Sequence, residues 1–308
     1  MATFEEKLIR AVKRKREAEG LSIRALSDAI GISFSTLARI ERGEGQPDNN
    51  SKIRLLEWLG AAAEDAGLSF DKVAFVHFRA GKNIRSSTVH TLLKAADSLH
   101  QSMGKQVRND TDDQAPPVAL PLSKEELEQT AENFRKDLGL SGDEPLDSLR
   151  IEVQGVQLIP IGKTNHLDHL TVNQLRGVSG DDWSAMSVPI DIENGEWAIL
   201  LNDSHTIERQ RVTLLEEYWH ILLGHKLTKI ARVTDAYGRT YDKAEEHDAY
   251  YLAAATLLPK SAVIDAVRKN QPSEQIAKAF GTSSELVDYR IKRLGLWREH
   301  MGKKISLS

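Results

Sequence analysis

The chain has 308 residues, a formal net charge of −4, ten histidines and no cysteine. The length points to about two domains. The lack of cysteine excludes disulfides and thiolate metal sites, leaving metal binding to His, Asp and Glu. The near-balanced charge excludes a general pull toward nucleic acid or membrane, so any basic surface must be local. The opening stretch Met-Ala-Thr-Phe-Glu-Glu-Lys has no apolar signal core, and no apolar run approaches the roughly 18 residues of a membrane span. The expectation is a cytoplasmic protein without a membrane partner.

Phe4 to Glu19 places Phe4, Leu8, Ile9 and Val12 at helical spacing, carries the basic run Lys13 to Arg16 and stops at Gly20. Ser22 then caps a helix ending at Gly31, and Ser33 caps a second, Phe34 to Arg42, ending at Gly43. Two short capped helices about a Gly-containing turn make a helix-turn-helix unit. Its residues, Leu21 to Gly43, closely resemble the phage-repressor-like (XRE) DNA-binding family. Leu26, Ala29, Ile32, Leu37 and Ile40 are the expected contacts between the helices, which leaves the start of the second helix free for the major groove of duplex DNA. Ser35, Thr36 and Arg39 are the candidates for base edges, with Arg39 suited to guanine. Lys13 to Arg16, Arg24, Arg42 and Lys52 suit phosphates. Asn50 or Ser51 caps a further helix whose Ile53, Leu56 and Leu59 close a domain at 1–60.

Residues 61–102 read as a helical extension that packs on this domain or makes a homodimer contact. Val73-Ala-Phe-Val-His-Phe78 alternates weakly like a strand inside it, and His77, His90 and His100 lack metal-ligand spacing and read as structural. From 103 to 122 the apolar periodicity fails and Ala115-Pro-Pro117 is linker composition. Ser123-Lys-Glu-Glu126 is a capping box that opens a second domain, 123–260. Ile151 to Val153, Val156 to Ile161, Val188 to Ile192 and Glu196 to Leu201 read as strands of a small sheet. His166-Leu-Asp-His169 reads as solvated loop.

Arg211 to His225 reads as a buried helix, because Val212, Leu214, Leu215, Tyr218, Trp219, Ile221, Leu222 and Leu223 cover most of its circumference. Glu216 and His220 lie one turn apart on one face, with Glu217 beside them. The frame Glu216-Glu217-Tyr218-Trp219-His220 followed by Ile-Leu-Leu-Gly-His225 resembles the His-Glu-x-x-His helix of the ImmA/IrrE family of bacterial regulatory metallopeptidases, with Glu216 in place of the first His. The family's later motif, Glu-x-Glu-Ala-x-x-Phe-Ala-Ala-x-x-Leu-x-Pro, is matched by Glu246 to Pro259. The resemblance implies Glu217 as general base and Glu216, His220 and Asp248 as metal ligands, with Glu246 as substitute if the register slips. Zinc is the expected ion. Two carboxylate ligands neutralise its charge and weaken its preference over manganese.

Residues 261–308 have the outline of a second helix-turn-helix, which in the resemblance packs on the peptidase core. Arg290, Lys292 and Arg293 are its candidate phosphate contacts, with a structural role preferred. The expected fold is α+β and mainly helical: an all-α DNA-binding domain, a linker, a zincin-like domain with a small sheet, and the C-terminal helical element. Two functions follow. One is a DNA-binding transcriptional regulator whose metal-dependent peptidase cleaves a regulatory protein, itself a transcriptional regulator. The other is a DNA-binding regulator whose degenerate, metal-free domain does not cut and serves as a sensor or interaction module.

Overall fold

Side-chain caps set the first helices. In the computed structural model, which describes residues 2–80, 84–104, 122–233, 236–239 and 243–303, helix α1 (Phe4–Ala18) starts at a capping box between Thr3 and Glu6. Helices α2 (Ile23–Ile30) and α3 (Phe34–Glu41) are capped by Ser22 and Ser33 and separated by Gly31, whose φ of 66° suits a residue without Cβ. Helix α4 (Asn49–Leu59) is capped by Asp48, which accepts from the Ser51 amide at 2.7 Å, rather than by Asn50 or Ser51. Leu26, Ile32, Leu37 and Ile40 are buried as expected. Ala29 is exposed, and Ile30 and Ala38 are buried in the same two helices.

Residues 61–102 are not helical throughout. Between α5 (Ala61–Asp65) and α6 (Ser86–Met103), Lys72–Ala80 forms strand β1. It takes an inner position in a six-stranded sheet of order β2-β4-β3-β1-β5-β6. The other strands are β2 (Val156–Pro160), β3 (Trp183–Asp191), β4 (Glu196–Leu201), β5 (Thr228–Val233) and β6 (Ala236–Arg239). Strand β1 runs antiparallel to both β3 and β5, and β2 runs parallel to β4. The sheet thus takes strands from both sides of the expected linker at 103–122, of which residues 105–121 lie outside the described residues. Ile151 to Val153, expected as a strand, is irregular and follows a short 3-10 turn at Ser148–Arg150. There the Ile151 carbonyl accepts from the Tyr218 hydroxyl at 3.0 Å.

Strand alternation decides what each face carries. Ala74, Val76 and Phe78 with Met186 and Val188 pack against Val89, Leu92, Leu93 and Leu99 of α6. The opposite face, with Ala185, Ile199 and Leu201, packs against α9 (Ile207–Leu222) and α10 (Lys243–Leu257). Helix α7 (Lys124–Asp137) lies on α10, and α8 (His169–Arg176) lies by α6; Asp168, read as solvated loop, caps α8. Helices α11 (Lys260–Arg268), α12 (Ser273–Phe280), α13 (Ser284–Arg293) and α14 (Trp297–His300) follow α10. The helix-turn-helix core is continuous with the β5–β6 end of the sheet, since Ala231 and Val233 of β5 belong to the same apolar cluster as Leu26, Leu37 and Ile53. Backbone approaches so closely there that a Cβ on Gly238 would stand 2.8 Å from Ile53 Cγ1 and 2.9 Å from the Asn49 carbonyl. Among the described residues no helix is long and apolar enough to cross a membrane.

Candidate metal centre and nucleic-acid interface

Helix α9 is fastened before its site residues are reached. Thr206 caps it, Arg209 Nη2 donates to Ser184 Oγ at 2.8 Å, and Arg211 reaches Asp147 Oδ1 at 3.1 Å and the Gly281 carbonyl at 3.0 Å. Its next three turns are buried almost all round, and Glu216, Glu217 and His220 are buried with them at 2%, 0% and 5% exposure. Charged and polar groups so enclosed need partners or a counter-ion.

Those partners come from three elements. Glu217 Oε2 accepts from Ser187 Oγ of β3 at 2.5 Å, and the Arg79 backbone amide also donates to its carboxyl. Burial is the main cause that pushes its pKa up to about 7; the charge of Glu246 adds to the rise, and the Ser187 bond and Arg79 oppose it. His220 Nδ1 meets His225 Nδ1 at 2.9 Å, which holds the ring so that Nε2 faces Glu246 Oε1 at 4.0 Å. Burial keeps His220 well below the usual imidazole range and therefore neutral. When Nδ1 is the donor to His225, Nε2 presents a bare lone pair to a carboxylate, an arrangement that a cation between them resolves.

Glu216, His220 and Glu246 are the group among the described residues whose ligand atoms gather, all within 4.8 Å of one another. Helix α10 therefore brings Glu246 to this point. Asp248, the ligand expected from the motif register, is instead paired with His247 Nδ1 at 3.0 Å. The reason is helical phase: two residues along a helix turn a side chain by about 200°, so only one of the two acids can face α9. Tetrahedral ligands about 2.1 Å from an ion stand about 3.4 Å apart, so side-chain rotation has to close the shell. In kind and position the three residues fit a divalent cation.

Strand β1 adds two residues to the site. His77, taken as merely structural, is buried and stacks between Trp197 (centroids 5.4 Å) and His220 (5.0 Å), and burial lowers its pKa to about 3, so the stack is uncharged. Arg79 lies over the Tyr250 ring at 4.9 Å, and its Nη1 is ion-paired with Glu216 Oε2. Next to it the β1–β3 register shifts between Arg79 and Ala80, with the extra residue, Ser184, in β3, where its hydroxyl accepts from Arg209. The available signal was the alternation itself, which puts His77 and Arg79 on the face opposite Ala74, Val76 and Phe78. His90 and His100 do have structural roles, packing in tilted contact on Tyr237 (4.6 Å) and meeting the Pro189 carbonyl (2.9 Å).

At the other end, Phe34, Ser35, Thr36 and Arg39 are exposed at the start of α3, and Arg24 is exposed with its guanidinium 5.3 Å over the Phe34 ring. Ser35 and Thr36 hydroxyls lie 3.1 and 2.7 Å from the capping Ser33 Oγ, so they are oriented as part of the cap. Arg42 is exposed and pairs with Glu44 at 2.9 Å. The basic run divides by helix face. Lys13 and Arg14 are exposed, whereas Lys15 donates to the Trp58 carbonyl at 2.8 Å and Arg16 binds Glu41 at 2.6 and 2.8 Å. Lys52 is half-buried on Glu5 at 2.6 Å. Lys15, Arg16 and Lys52 thus hold the domain together instead of standing free for phosphates.

Residues 172–292 match the family model described as the IrrE N-terminal-like domain, a peptidase family, and residues 12–56 match the helix-turn-helix model. No curated protein and no solved structure matched the chain. Strand β1, with His77 and Arg79, lies outside both matched stretches.

Proposed function

We propose, for a chain that joins a helix-turn-helix domain of the XRE type to an IrrE-like peptidase-type domain, that it is a DNA-binding regulator which cleaves a regulatory protein with a divalent cation held by Glu216, His220 and Glu246. The observation that carries this is Glu217: a fully buried carboxyl beside three convergent ligands, fixed by Ser187, with a pKa near 7. A general base works best at such a pKa. A bound divalent ion, zinc or manganese by its ligands, would supply Lewis acidity. Glu217 would take the proton from the attacking water, and Ser187 would keep its carboxylate aimed. His225 would hold the His220 ring.

If Glu216, His220 and Glu246 are ligands, manganese or zinc stabilises the wild-type chain by mass action, by about 2.7 kcal/mol at a hundredfold excess over Kd, and so raises its melting temperature. Glu246→Ala abolishes the increase and Asp248→Ala keeps it. Differential scanning fluorimetry with and without the ion distinguishes them, and loss of the increase in Asp248→Ala alone would return the ligand role to the position expected from the motif.

The second reading, a domain that senses or docks without cutting, has one observation in its favour: Glu216 already holds a cation, the Arg79 guanidinium. Both readings keep the DNA-binding end. Arg39→Ala is expected to weaken duplex binding and relax preference at one base pair by about 1–3 kcal/mol, whereas Lys52→Ala, whose amine is held by Glu5, changes affinity much less. Fluorescence anisotropy at fixed salt measures both. Equal losses in the two variants would mean that Arg39 reads no base.

A further inference from the structure

We propose that Arg79 is a resident cation of this centre, and that a divalent ion binds by displacing its guanidinium from Glu216. The inference rests on reading Glu216, His220 and Glu246 as ligands. It concerns a residue outside both family matches, on a strand that reaches the centre directly from the helix-turn-helix half.

Three features support it. The guanidinium is placed by built contacts rather than by chance: the Tyr250 ring of the ligand-bearing helix α10 supports it at 4.9 Å, and its ion pair is to Glu216, one of the three ligand residues. Next, the ion pair takes one of the three ligands. The guanidinium stands against the Glu216 carboxylate, which an ion held with His220 and Glu246 would also engage.

The third feature is charge. Glu216 and Glu246 approach one point from two helices, and the Arg79 guanidinium is the cation already placed against Glu216. A divalent ion brought to the same point would stand next to that guanidinium in a largely water-excluded site, where like charges are screened least. Of the two partners Arg79 is the more exposed, 28% against 2% for Glu216. Exchange therefore moves the arginine and leaves the carboxylate.

The test uses the full chain, wild type and Arg79→Met, titrated with zinc and with manganese by isothermal calorimetry after chelator treatment. Arg79→Met is expected to bind at least tenfold more tightly than wild type, and Arg79→Lys, which keeps a positive charge, to stay within about threefold of it. Equal or weaker binding by Arg79→Met overturns the proposal while leaving the ligands standing. No binding by any of the three removes the ligand reading itself. Because Arg79→Met removes a buried-side ion pair and could unfold, the wild-type chain gives a second readout: the Arg79 Nε–Hε resonance in the side-chain ¹⁵N spectrum. A large shift of that resonance when either ion binds supports displacement, and an unmoved resonance at saturation overturns it.

Discussion

Glu217→Gln is expected to lower cleavage by about 10²–10⁴-fold, the usual contribution of a positioned general base, while keeping the rise in melting temperature that zinc or manganese confers. The amide has the shape of the carboxyl and can still accept from Ser187, but it cannot take a proton. The same variant also tests the buried charge. With a folded pKa near 7 against an ordinary 4.5, the folded chain retains a proton that the unfolded chain releases, so the contribution of Glu217 is most favourable below pH 4.5 and is lost as pH rises through 7. Above that, ionised Glu217 costs on the order of 3 kcal/mol in the ion-free protein. Glu217→Gln should then melt above wild type at pH 8 and close to it at pH 5. A variant that cuts at the wild-type rate excludes Glu217 as base, and a melting difference that does not change with pH excludes its raised pKa.

Glu128→Ala is expected to destabilise the chain by about 3–5 kcal/mol, the effect of leaving one member of a buried ion pair alone. Arg290 is fully buried and its guanidinium spans both Glu128 oxygens at 2.6 Å while Nε donates to the Leu258 carbonyl at 2.9 Å. Glu128 also accepts from the Tyr251 hydroxyl. This network ties α13 to α7 and to α10, the helix that delivers Glu246. Replacing both partners, Glu128→Leu with Arg290→Leu, should lose less than Glu128→Ala alone, because no uncompensated charge remains. Chemical denaturation gives the comparison. If the single variant is as stable as wild type, the pair is not what holds the C-terminal helices. Arg290 therefore has the structural role expected for it, not a phosphate contact.

The sequence by itself determined whatever depends on neighbours within a few positions. Ser22, Ser33 and Ser123 cap helices through bonds to amides three residues on, and Gly31 and Gly281 end them in the left-handed region. The face shared by Glu216 and His220 follows from the pitch of a helix. Those local rules gave the helix-turn-helix, the site helix, most of β4 and the mainly helical α+β class. Only the tertiary structure decided what depends on which segments meet. Residues 72–80 look weakly β because a strand flanked by partners on both edges is stabilised by β3 and β5, far along the chain, and not by its own composition. With that strand came His77 and Arg79, which no spacing rule could attach to a helix 140 residues later. The choice of Glu246 over Asp248 was likewise made by the rotation at which α10 packs on α9: the sequence offered two acids on opposite sides of one helix, and packing turned one of them inward.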